Sequence, residues 1–172
     1  AVAAVLAAKG RGRQMPPPVL VASADAIDSL CVDVPDYARR LARAFWPGGL
    51  TLILKARPDL GWDLGETGGT IGVRMPAQEA LLALLTDVGP MAVTSANLTG
   101  QPPATSVDQA LGYFGTHVGA YLDAGPTKGS TASSIVDCAH GTPRVIRLGT
   151  VSLDDLSQAA AVSIDAPQGG NA

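Results

Sequence analysis

Aromatic residues are scarce in this sequence of 172 residues, at 4% of the chain, and charged residues account for only 16%. Since 47% of the residues are hydrophobic, the composition excludes a disordered chain, and the core must consist of alanine, valine and leucine. The length indicates one domain that is large enough to bury a sizeable core. A net charge of −3 argues against a nucleic-acid-binding protein held by bulk electrostatics.

Cysteine and histidine are also rare, with two residues of each. Cys31 and Cys138 lie far apart and fit no metal or redox spacing, so we expect reduced thiols. Neither His117 nor His140 has a partner at metal-ligand spacing, and we predict no protein-bound metal. The apolar opening, Ala1–Ala8, precedes its positive charges and is too short to span a membrane. These features favour a cytoplasmic protein with no membrane partner.

The common nucleotide-binding fingerprints are missing as well. The sequence contains neither G-x-x-x-x-G-K-[ST] nor a G-x-G-x-x-G that opens a helix. No Ser-His-Asp or Cys-His arrangement can be argued from the order of the residues. Any nucleotide would therefore have to be held by a different set of loops.

Apolar runs and helical periodicities alternate irregularly along the chain, with a hairpin-like succession near residues 120 to 148. This order predicts the α/β class, of the α+β type: a single open, twisted, mixed β-sheet flanked by helices. We expect one domain over residues 1–163 and a disordered tail over 164–172. The predicted strands are 19–22, 50–54, 70–75, 91–93, 120–122, 133–137 and 145–148. The predicted helices are 1–8, 24–30, 36–45, 77–88 (mostly buried against the sheet), 106–114 and 152–162.

The rest of the chain is organised around one stretch, Met91-Ala92-Val93-Thr94-Ser95-Ala96-Asn97. Its first three residues form a short apolar run that predicts a buried strand leading into a polar loop. Ser95 and Asn97 are two residues apart, so extended geometry projects their side chains to the same side. Their uncharged donors and acceptors suit ribose and phosphate oxygens at the end of a strand. The alternative, which local chemistry alone favours, is a turn whose side chains only cap their own backbone.

A second loop concentrates positive charge. Lys9, Arg11 and Arg13 fall within five residues, in a glycine-containing loop that the prolines Pro16–Pro18 stiffen. The cations repel one another unless an anion or carboxylates lie between them, which suggests a clamp for phosphate or carboxylate. The alternative is a solvated basic turn.

Further loops carry side chains of the same kind. Arg74 ends a predicted strand, Ser133 and Ser134 begin one, and Arg147 lies inside the last. For Arg74 a surface salt bridge is equally consistent with the sequence. Cations and hydroxyl groups without an evident nucleophile suit the positioning of phosphates and the stabilisation of their charge. From the residues alone we expect a small anionic or nucleotide ligand, with any Mg²⁺ held chiefly by the nucleotide.

Six short motifs follow one another in an order that is typical of one protein family. Lys9-Gly10-Arg11, followed by Arg13 and Pro16, has the form K-x-R, and Ser95-Ala96-Asn97 has the form S-x-N. The other four are Phe45-Trp46-Pro47-Gly48, Gly72-Val73-Arg74-Met75-Pro76, Ser133-Ser134-Ile135-Val136-Asp137 and Val145-Ile146-Arg147-Leu148-Gly149. In this order, the motifs resemble those of the YrdC-like threonylcarbamoyl-AMP synthase family.

The resemblance implies a YrdC-like fold and a nucleotidyltransferase. Members of the family condense L-threonine, bicarbonate and ATP into L-threonylcarbamoyl-AMP and release pyrophosphate. A threonylcarbamoyl-transferase complex then moves the threonylcarbamoyl group to the adenosine beside the anticodon of tRNA. The implied small-molecule partners are therefore ATP, L-threonine and bicarbonate.

The resemblance also implies which residues bind these molecules. The implied substrate- and nucleotide-binding residues are Lys9, Arg11, Ser95, Asn97, Ser133 and Arg147. Three further candidates are Arg74, Arg13 and Thr94. In the family, the K-x-R pair binds phosphate and the carboxylate-bearing substrate, the S-x-N pair holds the nucleotide, and the serine and arginine of the last two motifs add phosphate contacts.

The sequence departs from the family pattern in two places. It starts inside the helix that leads to K-x-R, so we expect the family's opening strand and T-x-T-x-Y-G-L-type segment to be missing. Ala132-Ser133-Ser134 stands where the family usually has Gly-Ser-Thr, and it keeps both hydroxyl groups.

Other functions on the same fold remain open at this point. One is a module that binds double-stranded RNA or tRNA, and another is an inactive paralogue. A third is the related carbamoyl-adenylate domain of hydrogenase-maturation carbamoyltransferases, although their zinc-finger and acylphosphatase-like regions do not occur in this sequence.

Overall fold

The computed structural model describes residues 1–127, 129 and 131–167, and this part of the chain forms a six-stranded mixed β-sheet flanked by helices. The strands are β1 (Val19–Leu20), β2 (Leu50–Lys55), β3 (Thr70–Arg74), β4 (Met91–Ala92), β5 (Ser134–Asp137) and β6 (Arg144–Arg147). The α-helices are α1 (Val2–Lys9), α2 (Ala26–Leu30), α3 (Asp36–Phe45), α4 (Glu79–Val88), α5 (Val107–Phe114) and α6 (Leu153–Ala160). The predicted open, mixed sheet with flanking helices is confirmed.

The strands lie in the order β4-β1-β3-β2-β5-β6. β1 runs parallel to β3 and β2 runs parallel to β5, whereas the other neighbouring pairs are antiparallel. β3 and β2 therefore occupy the centre of the sheet, and a side chain on either strand has neighbours on both sides.

The two faces of the sheet differ in what covers them. On one face the three leucines of β2 are fully buried in the hydrophobic core, together with residues of α2, α3 and α6. Because side chains alternate along a strand, Thr51 and Ile53 point to the opposite face, where Gly72 lies directly across from Ile53. Arg74, two residues further along β3, shares this face. We call it the cleft face, since most of these residues are only half-buried.

Several predicted elements agree closely with the structure. The helix over 36–45 is confirmed as α3. Ser106 caps α5 by accepting a hydrogen bond from the backbone N–H of Gln109. Ser152 caps α6 by accepting one from the backbone N–H of Asp155. These helices begin where a serine hydroxyl supplies the acceptor that the first turn lacks.

Three predictions about local structure are wrong. The buried strand over 91–93 is instead a two-residue edge strand, half-buried because β1 is the one described strand that pairs with it. Residues 120–122 form no strand: Leu122 is 84% exposed, and no described strand pairs with this segment. The helix predicted to be mostly buried, α4, buries only Leu85, because consecutive leucines wind around a helix and cannot all face one side.

The packed chain continues past the predicted domain boundary. Ile164 is buried in the core, and the backbone oxygen of Asp165 accepts a hydrogen bond from the Val145 N–H at 2.8 Å. The ordered domain therefore reaches at least Asp165. Residues 168–172 of the predicted tail lie outside the described residues.

Candidate functional site

The first part of the site forms where α1 ends. Gly10 adopts a left-handed conformation, with φ of 61°, which ends the helix and turns the chain into the basic loop. The Lys9 side chain is 2% exposed, and its Nζ atom donates to Asn97 Oδ1 at 2.6 Å and to the Ser95 backbone oxygen at 2.8 Å. A longer contact of 3.4 Å joins Nζ to Ser95 Oγ. The K-x-R and S-x-N motifs therefore meet at this ammonium group.

Asn97 organises the loop after β4. Its Oδ1 atom also accepts from Ser95 Oγ at 2.6 Å, and its Nδ2 atom donates to the backbone oxygens of Leu98 and Gln101 at 3.1 and 2.6 Å. Since the amide's donors and acceptors are all engaged within the protein, Asn97 shapes the loop around Lys9. Thr94 lies half-buried at the start of this loop, and its side chain makes no hydrogen bond to the residues that the structure describes.

The two arginines of the basic loop differ in their surroundings. Arg11 Nε is buried and has no hydrogen-bond partner among the described residues. A buried donor without a partner costs about 1–3 kcal/mol, so this atom marks a place where an acceptor is needed. Arg13 instead forms a bidentate ion pair with Asp63, with distances of 3.0 Å from Nη1 to Oδ2 and 2.7 Å from Nη2 to Oδ1.

The second part of the site lies at the β5–β6 hairpin. Arg147 donates from Nε and Nη2 to the Ser133 backbone oxygen at 3.0 and 2.8 Å, and from Nη2 to Ser133 Oγ at 3.2 Å. Ser133 Oγ lies 3.1 Å from Thr51 Oγ1 on the cleft face of β2. The serine hydroxyl is therefore held between an arginine and a buried threonine.

A β-bulge in β6 directs Arg147 toward this serine. Val145 lies opposite Val136, but the register then shifts and Arg147 lies opposite Ile135, so that Ile146 is the extra residue. Ile135 belongs to the cleft face, since it lies opposite Thr51 in the parallel pair with β2. Arg147 therefore stands on the cleft face, while Val145 is buried in the core.

Arg74 adds a further cation at the end of β3. Its Nε atom donates to the Gly48 backbone oxygen at 2.8 Å. Burial and the nearby charge of Arg147 lower the pKa of the Arg74 guanidinium, and burial also lowers the pKa of Arg147. The surface salt bridge that the sequence left open for Arg74 is not formed with any described carboxylate.

A cavity of about 120 Å³ lies on the cleft face, lined by neighbours of the candidate residues and not by those residues themselves. Its lining includes Pro18, Thr51 and Gly72. Pro18 accepts a hydrogen bond from the Val93 N–H at 3.0 Å, next to the Ser95 loop, while Thr51 contacts Ser133 at the other end. A Cβ atom at Gly72 would lie 3.4 Å from Pro18 and 3.6 Å from Thr51, so glycine keeps this space open. Residues that contact each part of the site therefore border this cavity.

The cleft carries positive charge without compensating carboxylates. Within residues 1–127, 129 and 131–167, no carboxylate forms an ion pair with Lys9, Arg11, Arg74 or Arg147. Burial and the neighbouring Arg11 charge lower the pKa of Lys9. Such a group of cations and hydroxyls binds phosphate and carboxylate groups through charge-assisted hydrogen bonds.

Sequence reasoning missed some residues of this region and misplaced one. Thr51 carries a signal that could have identified it, because it is a hydroxyl residue inside the otherwise apolar run Leu50-Thr51-Leu52-Ile53-Leu54. Asp63 gives no local signal for its pairing with Arg13. Ser134, considered together with Ser133, lies on the core side, where its buried Oγ donates to the Val151 backbone oxygen at 2.8 Å.

The described residues contain no group of three or more His, Cys, Asp or Glu side chains placed to hold a metal ion. Among the helices of this same part of the chain, none is long and apolar enough to cross a membrane.

The mixed sheet and its basic cleft define the class as an α/β protein with a positively charged cleft on one face of its sheet. Residues 1–149 match the Sua5/YciO/YrdC family, described as "Telomere recombination". The chain belongs to this family.

Curated relatives and a solved structure extend this result. The chain is 52% identical over 162 residues to a "Putative threonylcarbamoyl-AMP synthase" of Mycobacterium leprae, covering 94% of the chain and 74% of that protein. It is 33% identical to the "Threonylcarbamoyl-AMP synthase" of Bacillus subtilis, covering 91% of the chain and 46% of that protein. The crystal structure of Pyrococcus abyssi Sua5 complexed with L-threonine matches with a TM-score of 0.88 and 30% identity, over 95% of this chain and 48% of Sua5. The chain thus spans about three quarters of the first relative and about half of the other two.

Proposed function

We propose that this protein is a threonylcarbamoyl-AMP synthase, which condenses L-threonine, bicarbonate and ATP and releases pyrophosphate, for the modification of tRNA. The observation that carries the proposal is the cleft with cations that have no carboxylate partner among the described residues: Lys9, Arg11, Arg74 and Arg147. The triphosphate, the bicarbonate and the carboxylate of threonine are matching anions. The names of the mycobacterial and Bacillus relatives, and the threonine bound to Pyrococcus Sua5, support the same function.

We assign the hairpin end of the cleft to the phosphates. Arg147 uses Nε and Nη2 to hold Ser133, and its Nη1 atom has no partner among the described residues, so Nη1 is available to a phosphate oxygen. Thr51 fixes the Ser133 hydroxyl, and Arg74 adds charge beside them. A phosphate at this position would relieve the repulsion between the two guanidinium groups.

We assign the Lys9 end to the carboxylate-bearing substrate and to the nucleotide. Arg11 Nε is the donor that lacks a partner, and an anionic oxygen would satisfy it. Lys9 can exchange its longest contact, 3.4 Å to Ser95 Oγ, for a ligand oxygen and still keep its two short bonds. Asn97 then keeps the ammonium group in position.

The chemistry needs no nucleophile from the protein. The amine of threonine attacks bicarbonate to give a carbamate and water, and a carbamate oxygen then attacks the α-phosphorus of ATP and displaces pyrophosphate. Both reactants of the second step are anions, so the cleft cations would act by neutralising and orienting them. Mg²⁺ would enter with the triphosphate as part of the substrate, because the cleft residues identified above offer it no carboxylate.

Product analysis by mass spectrometry tests the proposal directly. The purified protein is incubated with ATP, Mg²⁺, bicarbonate and L-threonine, and we expect threonylcarbamoyl-AMP with an equal amount of pyrophosphate. Arg11→Gln should lower the rate about 100-fold, because it removes the unpartnered cation beside the substrate. Arg39→Gln is the matched control, since Arg39 pairs with Asp28 outside the cleft, at 2.6 Å. Absence of product from folded wild-type protein, or equal losses in both variants, would contradict the proposal.

A module that binds double-stranded RNA or tRNA is the second function that the sequence suggests. The net charge of −3 does not favour it, and neither do the ion pairs that Arg39, Lys55, Arg57 and Arg144 form outside the cleft. Contacts with tRNA and with a transferase complex stay predictions, as does a cytoplasmic location.

A further inference from the structure

The long loop between β2 and β3 crosses the basic loop. We call residues 57–69 the strap. Asp63 of the strap receives two hydrogen bonds from the Arg13 guanidinium, and the Glu66 N–H donates to the Arg13 backbone oxygen at 2.8 Å. The strap is therefore attached to both the side chain and the backbone of Arg13.

Backbone geometry shows how closely the strap lies against the basic loop. Gly65 has a φ of 103°, and a Cβ atom there would lie 2.7 Å from the Arg13 backbone oxygen. Only glycine fits this position, both because of the contact and because of the left-handed φ. Asp63 Oδ1 also accepts from the Gly65 N–H at 3.2 Å, so the carboxylate is oriented before it meets Arg13.

The inner side of the strap borders the cleft. Leu64 is buried, and both Leu64 and Thr67 line the 120 Å³ cavity together with Pro16. The strap thus contributes to the wall of the cleft and also contacts the basic loop, which carries Arg11 and follows Lys9 at the end of α1. A movement of the strap would therefore change the wall of the cleft and the position of the basic loop at once.

The ion pair that fastens the strap is suited to opening and closing. The Arg13 and Asp63 side chains are 52% and 68% exposed, so the pair can separate without leaving a buried charge. The hydrogen bond from Arg13 lowers the pKa of the Asp63 carboxyl, which therefore stays ionised at neutral pH.

We infer that the Arg13–Asp63 ion pair latches the strap over the cleft and holds the basic loop in the position that substrate binding requires. This role rests on the proposed function. It makes Arg13 a positioning residue that acts through Asp63, in contrast to a direct contact with substrate. Opening of the latch admits substrates, and its closure fixes Arg11 beside them.

A charge swap tests the latch. Arg13→Asp and Asp63→Arg should each raise KM for ATP and L-threonine about fivefold with kcat less affected, because each replaces an attraction by a repulsion. The double variant Arg13→Asp/Asp63→Arg should return KM to within about twofold of the wild type. Asp59→Asn is the matched control, since Asp59 pairs with Arg57 inside the strap, at 3.0 Å, and not with the basic loop. Asp59→Asn should leave KM unchanged.

A second measurement makes the result independent of catalysis. Amide hydrogen exchange without substrates should be about fivefold faster at Glu66 in Asp63→Arg and in Gly65→Ala, and unchanged in Asp59→Asn. Unchanged exchange in Asp63→Arg would overturn the latch, even if the protein makes no threonylcarbamoyl-AMP. If the wild type is active but the double variant does not recover KM, Arg13 is instead a direct substrate contact. This outcome would also overturn the latch.

Discussion

Two sets of basic side chains in this protein differ in their electrostatic partners. Outside the cleft, Arg39, Lys55, Arg57 and Arg144 each form an ion pair with an aspartate, whereas Arg40 donates to the backbone oxygen of Ala160. Around the cleft, the four cations Lys9, Arg11, Arg74 and Arg147 have no such partner among the described residues, although Lys9 is the most buried basic residue of the described chain. Packing alone would favour an ion pair for a buried cation, because an uncompensated charge costs more when it is desolvated.

The contrast indicates what the cleft is selected to do. Pairing the cleft cations within the protein would stabilise the folded state, but it would fill the site with the protein's own anions. The cleft instead satisfies its cations with neutral acceptors, such as the Ser133 oxygen for Arg147 and the Gly48 oxygen for Arg74. Neutral acceptors orient a guanidinium group without cancelling its charge. Under the proposed function, stability is exchanged for affinity toward anionic substrates.

If the cleft receives a carboxylate of its own, the contrast should disappear together with the activity. Ser133→Asp places a negative charge beside Arg147 and Arg74, so we expect about a 100-fold loss of threonylcarbamoyl-AMP formation with no loss of thermal stability. Ser106→Asp makes the same chemical change at the N-cap of α5, where aspartate is accepted, and should leave both properties unchanged. Unaltered product formation in Ser133→Asp would show that this end of the cleft does not bind phosphate.

Proton uptake should distinguish the cleft lysine from a solvated one. Burial and Arg11 lower the pKa of Lys9, so at pH values above the lowered pKa part of the amine is neutral. A bound anion favours the charged form and raises this pKa, so ATP binding should take up a fraction of a proton, at most about one, in alkaline solution. Below the lowered pKa the amine is already charged, and the uptake should vanish.

Calorimetry of ATP binding in two buffers of different ionisation enthalpy measures this proton. Lys9→Met should lose the buffer dependence, whereas Lys55→Met should keep it, because Lys55 is an exposed lysine paired with Asp33. A binding enthalpy in the wild type that does not depend on the buffer would contradict the shift assigned to Lys9.

The smallest effect is expected outside the cleft. Asp28→Asn removes the partner of Arg39 and should lower the free energy of unfolding by less than about 1 kcal/mol, because both side chains are partly exposed and screened by water. Urea denaturation at low and high salt measures it, and the difference should shrink at high salt. Product formation should be unchanged, and a loss of activity would connect this surface to the cleft.

Short-range patterns were enough to predict the broad architecture and several helix ends. The caps at Ser106 and Ser152 and the full extent of α3 are encoded within a few residues, and the structure confirms them. The K-x-R and S-x-N motifs were expected to serve one site, and Lys9 does contact Asn97. The individual binding roles of these residues stay predictions.

Long-range pairings account for what the sequence did not reveal. Arg13 looked like a third member of the cleft clamp, but its partner Asp63 lies 50 residues away in a loop without regular structure. The segment over 120–122 has the composition of a strand, yet a strand also needs a neighbour to pair with, and none of the described strands supplies one. The side of the sheet on which Arg147 stands depends on a shift in register, which no period of the sequence indicates.

The bulge in β6 also bears on how relatives of this chain should be aligned. Val145 and Arg147 are two positions apart in the sequence but occupy successive positions in the ladder, so they stand on opposite faces of the sheet. Ile146, 45% exposed, is the residue in excess. A family member that lacks this one residue can pair regularly and still direct its arginine into the cleft. A one-residue gap at position 146 therefore preserves the site, whereas a regular ladder of unchanged length would turn the arginine toward the core.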